Sequence, residues 1–244
     1  MKGKNIFGVV NEILQSLYSV FHKDFVSVII PAYNEEKTIR KVIETVKKSK
    51  VNEIIIVDDG SKDKTYEKAK LSGVKVIKHK RNVGKGMAMR TGVENAKGNI
   101  IVFVDADIES LTPQKVNMLI DPILKNEADF VKSYFSQYKS KTGTSIFLYK
   151  PLLKHLFSAT GFTHPVSGQI AARKRFFGRI EFRNDYGIDI SILVDAVKRN
   201  LRIKEVCLGE LKHRKRTVHD VEKIADTVIA TILEKAGVIR EKGG

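Results

Sequence analysis

The sequence predicts an α/β protein: a mainly parallel, twisted sheet flanked by helices, followed by a less regular second half. Three observations predict it. Four short apolar, largely β-branched runs alternate with amphipathic stretches between Val26 and Asp107. The last of them, Ile100-Ile101-Val102-Phe103-Val104, is apolar throughout, the pattern of a strand buried on both faces. Each run gives way to residues that form turns, at Pro31, Asp58-Asp59-Gly60, Asn82 to Gly84 and Asp105. Such a βαβαβαβ succession packs as parallel strands with crossover helices on both sides.

The elements follow in order. Ile6, Val9, Val10, Ile13, Leu14, Leu17, Tyr18 and Phe21 recur at helical spacing, which predicts an amphipathic helix within residues 1–25, outside the main fold. Packing on its own domain, or on another subunit as a homodimer contact, suits that helix. Peripheral docking on a membrane suits it less, because its polar face carries few basic residues. A strand over 26–30 stops at Pro31, and Asn34 is placed to cap a helix with Ile39, Val42, Ile43 and Val46 on its apolar face. A second strand over 53–57 ends in Asp58-Asp59-Gly60-Ser61, with Ser61 placed to cap a helix closed by Gly73. A third strand over 74–77 leads through Arg81-Asn82-Val83-Gly84-Lys85-Gly86 into a helix reaching about Ala96, which Gly98 ends. After the strand into Asp105, helices are expected over 113–124, 145–157, 188–198 and 218–233. Strands are expected over 129–135, 166–172 and 202–208, with a loop over 136–144. No repeat, low-complexity block or linker divides residues 26–244, so they read as a single domain with a first half over 26–107 and a second over 108–244.

Composition narrows the function classes. The chain has 244 residues, 42% of them hydrophobic, and no apolar run long enough to span a bilayer. Met1-Lys2-Gly3-Lys4 ahead of an apolar stretch superficially matches a signal peptide. Asn11, Glu12, Gln15 and Ser16 interrupt that stretch, and no small-residue cleavage site follows. The single Cys207 excludes an internal disulfide, so a cytoplasmic location is the expectation. The formal charge of +16, from 44 Lys and Arg against 28 Asp and Glu, favours anionic partners. Its densest clusters are Arg173-Lys174-Arg175 and Lys212-His213-Arg214-Lys215-Arg216. No helix-turn-helix, zinc finger or RNA-binding aromatic signature accompanies them, so specific nucleic-acid binding is disfavoured and a basic nucleic-acid-binding module is the weakest reading.

Chemistry concentrates at the strand ends. Four loops, Pro31 to Glu35, Asp58 to Ser61, Arg81 to Gly86 and Asp105 to Asp107, follow the C-terminal ends of four predicted parallel strands, and such ends share one sheet edge. Asp105 and Asp107 are two residues apart, so in extended backbone they face a common ligand, and paired carboxylate oxygens suit Mg²⁺ or Mn²⁺. Alone, the pair reads better as a solvated turn. Gly84-Lys85-Gly86 at a helix start suits a diphosphate, through backbone N–H groups, the positive helix end and an ammonium. It lacks the Walker spacing, and no Gly-x-Gly-x-x-Gly follows the first strand, which argues against a P-loop NTPase and a dinucleotide oxidoreductase.

Together these motifs resemble the GT-A glycosyltransferases of the family 2 type. Val28-Ile29-Ile30-Pro31-Ala32-Tyr33-Asn34-Glu35-Glu36 is similar to their opening strand and nucleotide loop. Val57 to Thr65 and Asn82-Val83-Gly84-Lys85-Gly86 match the next two signatures, and Asp105-Ala106-Asp107 the DxD motif. Val131-Lys132-Ser133-Tyr134-Phe135, Pro151-Leu152-Leu153, Pro165-Val166-Ser167-Gly168-Gln169, Tyr186-Gly187-Ile188-Asp189-Ile190 and His213-Arg214-Lys215-Arg216 follow the order of the glucosyl-3-phosphoglycerate synthases, retaining enzymes of glycosyltransferase family 81. The first-half motifs occur equally in polyprenyl-phosphate hexose synthases, the alternative reading.

The resemblance implies a metal-dependent transfer of a hexose from a UDP-sugar donor to a small anionic acceptor such as 3-phosphoglycerate, with retention. It implies that Pro31, Ala32, Tyr33 and Glu35 line the base and ribose, with Asp59 accepting from uracil or ribose and Lys85 approaching the donor. Asp105 and Asp107 with His213 would hold Mg²⁺ or Mn²⁺, Ala106 lying between the carboxylates. Arg216 and Arg214 would neutralise the leaving diphosphate, Gly168 and Gln169 would sit near the donor sugar, and Asp189, with Lys85, would face the reacting groups. Thr142-Gly143-Thr144 and Lys215 correspond to the acceptor site. Here the chain departs from the family: the acceptor loop lacks its arginine, Lys215 stands for an asparagine, Leu211 for an arginine and Gln169 for a glutamate.

Overall fold

The computed structural model describes residues 24–136, 145–210 and 218–240. Within them one sheet of seven strands runs β3-β2-β1-β4-β6-β5-β7. The strands are β1 (Val26–Ala32), β2 (Glu53–Asp58), β3 (Lys75–Lys78), β4 (Ile100–Phe103), β5 (Phe130–Tyr134), β6 (Ile170–Arg173) and β7 (Ile203–Cys207). The helices are α1 (Ile39–Lys47), α2 (Thr65–Lys70), α3 (Lys85–Asn95), α4 (Pro113–Leu124), α5 (Lys150–Phe157), α6 (Lys174–Phe177), α7 (Ile188–Lys198) and α8 (Val218–Lys235). The mainly parallel sheet is as expected, with one exception: β6 runs antiparallel to both β4 and β5.

Alternation along each strand sends side chains into two cores. Val28, Ile30, Ile56, Val102 and Val131 pack under α1 and α4 on one face. Ile29, Ile55, Ile101, Phe103 and Phe130 pack under α3 and α7 on the other. Burial on both faces accounts for the continuous apolar runs of β1 and β4.

The expected helix over 145–157 begins with a π-helical turn, Ser145–Tyr149, before α5. The expected strand over 166–172 shortens to β6, because 163–169 is held by side chains rather than by a ladder. Neither Asn34 nor Ser61 caps a helix. The N-cap positions are Thr38 for α1 and Lys64 for α2, neither with a side-chain cap. Asn34 takes a left-handed φ of 56° instead, donating its N–H to Ser61 Oγ at 2.9 Å and accepting from Lys62 N–H at 2.9 Å through Oδ1. The two residues staple the loops after β1 and β2 to each other, which is how two strand ends become one rim. The N-terminal helix expected within 1–25 lies outside the described residues, Asp24 and Phe25 excepted.

Candidate active site

The C-terminal ends of β1, β2, β3 and β4 open on one edge of the sheet, as parallel pairing requires. β6 contributes its opposite end to the same edge, since Ile170 pairs with Phe103. The antiparallel strand therefore delivers Gly168 and Gln169 beside Asp105.

Lys85 is the hub. Its Nζ lies 2.9 Å from Asp105 Oδ1 and 2.9 Å from Asp189 Oδ2. Burial pushes the ammonium toward neutrality, but the charges of Asp105 and Asp189 outweigh it and hold its pKa above the ordinary value. Burial raises the carboxyl of Asp189, with Lys85 opposing. Two carboxylates against one ammonium leave a net negative centre, the electrostatic condition for a cation. Asp105 Oδ2 accepts from Gln169 Nε2 at 2.5 Å, and Gln169 Oε1 accepts from Ser133 and Ser167, each at 3.1 Å. Gly168 has to be small, because a Cβ there would lie 2.6 Å from Lys85 Nζ and 2.9 Å from Asp105 Oδ2.

Part of the loop expected to cradle a diphosphate is engaged within the protein. Asp59, almost fully buried, accepts from the N–H groups of Val83 at 3.1 Å and Gly84 at 2.8 Å, and pairs with His79 Nδ1 at 2.7 Å. An internal carboxylate thus occupies the Gly84 amide, one of those the sequence offered to phosphate, and the Val83 amide before it. Cβ atoms at Gly84 and Gly86 would strike the carbonyl oxygens of Asn184 and Arg183, at 1.7 Å and 1.6 Å. These glycines let the segment before α7 lie on the start of α3, which brings Asp189 to Lys85.

Of the other expected residues, Pro31 and Ala32 end β1 buried and Tyr33 is exposed. Glu35 is half-buried, with its N–H on Thr65 Oγ1 at 2.8 Å. Ala106 is buried between half-buried Asp105 and Asp107. Among the described residues no three His, Cys, Asp or Glu side chains form a ready metal cluster. The expected third ligand, His213, lies outside them, as do Thr142, Gly143, Thr144, Lys215 and Arg216. The sequence reading overlooked Ser133, Ser167, Lys132 and Glu205 as a polar network behind the site. The one local signal was a lysine on the inward face of a strand, two residues from Phe130.

The model of Glycosyl transferase family 2 matches residues 27–180. This chain belongs to that family. It is a glycosyltransferase that uses a nucleotide-sugar. Glucosyl-3-phosphoglycerate synthase from Mycobacterium tuberculosis is 31% identical over 239 residues, covering 87% of this chain and 74% of the relative. The crystal structure of that enzyme with Mn²⁺, UDP-glucose and phosphoglyceric acid matches with a TM-score of 0.82 and 30% identity, over 100% of this chain and 88% of that one. Its complex with Mn²⁺, UDP-glucose and glycerol 3-phosphate matches equally, with a TM-score of 0.82 and 30% identity over the same shares.

Proposed function

We propose that this glycosyltransferase moves glucose from UDP-glucose to a small phosphorylated acceptor of the 3-phosphoglycerate type, with retention at the anomeric carbon. The observation that carries this reading is the Lys85–Asp105–Asp189 cluster at the strand-end edge, in a chain that overlays in full on an enzyme holding UDP-glucose and phosphoglyceric acid. The donor set fits a hard divalent cation: Asp105 and Asp107 supply carboxylate oxygens and His213 an imidazole nitrogen. When bound, Mg²⁺ or Mn²⁺ supplies positive charge that neutralises the departing diphosphate.

The chain's own residues do the rest. The rim formed by Pro31 to Glu35 and the Asp59 loop holds the uridine. Lys85, kept charged by its two carboxylates, meets the negative charge that develops on the leaving phosphate. Asp189 accepts from hydroxyls of the sugar or acceptor while Lys85 fixes its orientation. Gly168 and Gln169 shape the sugar's side of the pocket. Thr142 to Thr144 and Lys215 receive the acceptor's anionic groups, and Arg216 adds positive charge at the leaving diphosphate.

A screen of nucleotide-sugars against phosphorylated acceptors, read by product mass, tests the reading. Glucosyl transfer to 3-phosphoglycerate or glycerol 3-phosphate is the expected result, lost with chelator and in Asp107→Ala. Transfer only to polyprenyl phosphate in liposomes, or activity surviving in Asp107→Ala, would overturn it.

A further inference from the structure

Lys132 is fully buried within β5, and none of the steps above uses it. A lysine with no path for its head to water persists only where its surroundings replace hydration. Here they do so from two sides. Lys132 Nζ donates to the carbonyl oxygen of His164 at 2.5 Å. Glu205, its partner in register on β7, attracts it and accepts from Thr163 N–H at 2.7 Å and His164 N–H at 3.4 Å. Two neighbouring strands thus grip the backbone of Thr163 and His164 with opposite charges, Glu205 at the two N–H groups and Lys132 at the His164 carbonyl.

The grip continues into the site. The His164 carbonyl also accepts from Ser167 N–H at 3.3 Å. Ser133, next to Lys132, donates its N–H to the Gln169 carbonyl at 2.9 Å, and its hydroxyl bonds to that of Ser167. Gln169 then holds Asp105 through Nε2, while Gly168 leaves room for the Lys85–Asp105 contact.

We propose that Lys132 is a positioning residue: clamped with Glu205 on the Thr163–His164 peptides, it fixes residues 163–169 so that Gln169 and Gly168 keep Asp105 against Lys85. The charged groups facing its ammonium are Glu205 from β7 and Asp189 from α7. Burial, opposed by those two carboxylates, pushes its pKa down to about 8. Alkaline pH therefore removes the charge that Glu205 holds, and the segment loosens.

The inference rests on the proposed transfer only for its kinetic arm. Lys132→Met keeps the unbranched side chain, one atom shorter, and removes the ammonium. Hydrogen exchange read by mass spectrometry should show amides of 163–169 exchanging at least about tenfold faster, with 26–107 unchanged. Glucosyl transfer should lose about 30-fold or more in kcat, with KM for the acceptor within about threefold. The wild type should show an alkaline fall in rate near Lys132's pKa that is absent from the variant. Glu205→Gln should act in the same direction and non-additively with Lys132→Met, and it carries the test with the wild-type pH profile if Lys132→Met does not fold. Unchanged exchange at 163–169 overturns the proposal, as does a loosened segment with wild-type kcat and pH profile. A wild type that transfers no glucose defeats the functional reading alone, since the exchange arm still decides whether Lys132 pins the segment.

Discussion

Lys85 Nζ stands 2.9 Å from Asp105 Oδ1, so a divalent cation at Asp105 has to share that carboxylate with an ammonium. The other oxygen is already taken by Gln169. Like charges a few ångströms apart in a half-buried site repel, and removing Lys85 removes the competitor. Lys85→Met should bind Mn²⁺ about tenfold more tightly in the absence of nucleotide, read by electron paramagnetic resonance titration. It should also lose about 100-fold or more in kcat, because the positive charge proposed to meet the leaving phosphate is gone. Weaker Mn²⁺ binding in the variant would mean that Lys85 organises Asp105 for the metal instead of competing with it.

Gly168→Ala tests the same contact from the other side. The added Cβ falls on the ends of two side chains, Lys85 Nζ and Asp105, and not on backbone. Side-chain ends move at small energetic cost, so the thermal midpoint should stay within about 3 °C of the wild type. The ion pair must give way, and kcat should fall by about tenfold to 100-fold, since a misplacement of about 1 Å near the chemistry has that effect. A large drop in melting temperature with retained kcat would assign Gly168 to the fold instead.

The fold was legible in the sequence where the signal is local. β1 and β4 announce themselves because burial on both faces demands unbroken apolar runs, and Pro31 and Asp105 mark their ends to within two residues. α7 falls at 188–198 as its periodicity predicts. What stayed hidden depends on partners far along the chain. Asn34 and Ser61 carry ordinary cap signals, yet each finds the other loop instead of a helix start. Gly84 and Gly86 look like phosphate-loop glycines, and only the position of Arg183 and Asn184 reveals that they are packing glycines. The direction of β6 leaves no mark in its short apolar sequence, although it places Gln169 in the site. Lys132 looks like any polar residue in a strand until β7 and the 163–169 segment close over it.

The rim proposed to hold the uridine has its own electrostatic anchor. Asp63 accepts from Thr65 N–H at 3.0 Å and from Glu36 N–H at 3.1 Å, and Thr65 Oγ1 accepts in turn from Glu35 N–H. Partial burial opposes ionisation, but the hydrogen bonds from Thr65 and Glu36 prevail and hold the carboxyl below its ordinary 3.8. A depressed folded-state pKa adds stability above the unfolded value, and that stability disappears as pH falls through the folded one. Asp63→Asn should therefore lower the urea midpoint at about pH 7, and the two proteins should converge toward about pH 3. A difference independent of pH would show that shape, not charge, makes Asp63 useful there. KM for the nucleotide donor should rise at neutral pH alone.

Gly86 separates folding from chemistry in the opposite sense to Gly168. A Cβ at Gly86 would lie 1.6 Å from the carbonyl oxygen of Arg183 and 3.2 Å from Ile188 Cγ1, at the place where α3 and α7 begin side by side. Arg183 cannot easily retreat, because its guanidinium is engaged by Asp185 at 2.9 Å and by buried Glu234 at 2.5 Å. Overpacking against backbone of this kind costs about 3 kcal/mol or more, so Gly86→Ala should show a clear loss in urea-unfolding free energy. Any folded fraction should also be slow, since pushing the two helix starts apart draws Lys85 away from Asp189. Gly86→Ala with wild-type stability would mean that the 183–185 segment lifts off the start of α3. In that case the Lys85–Asp189 contact should break while the protein stays folded, and kcat alone should fall.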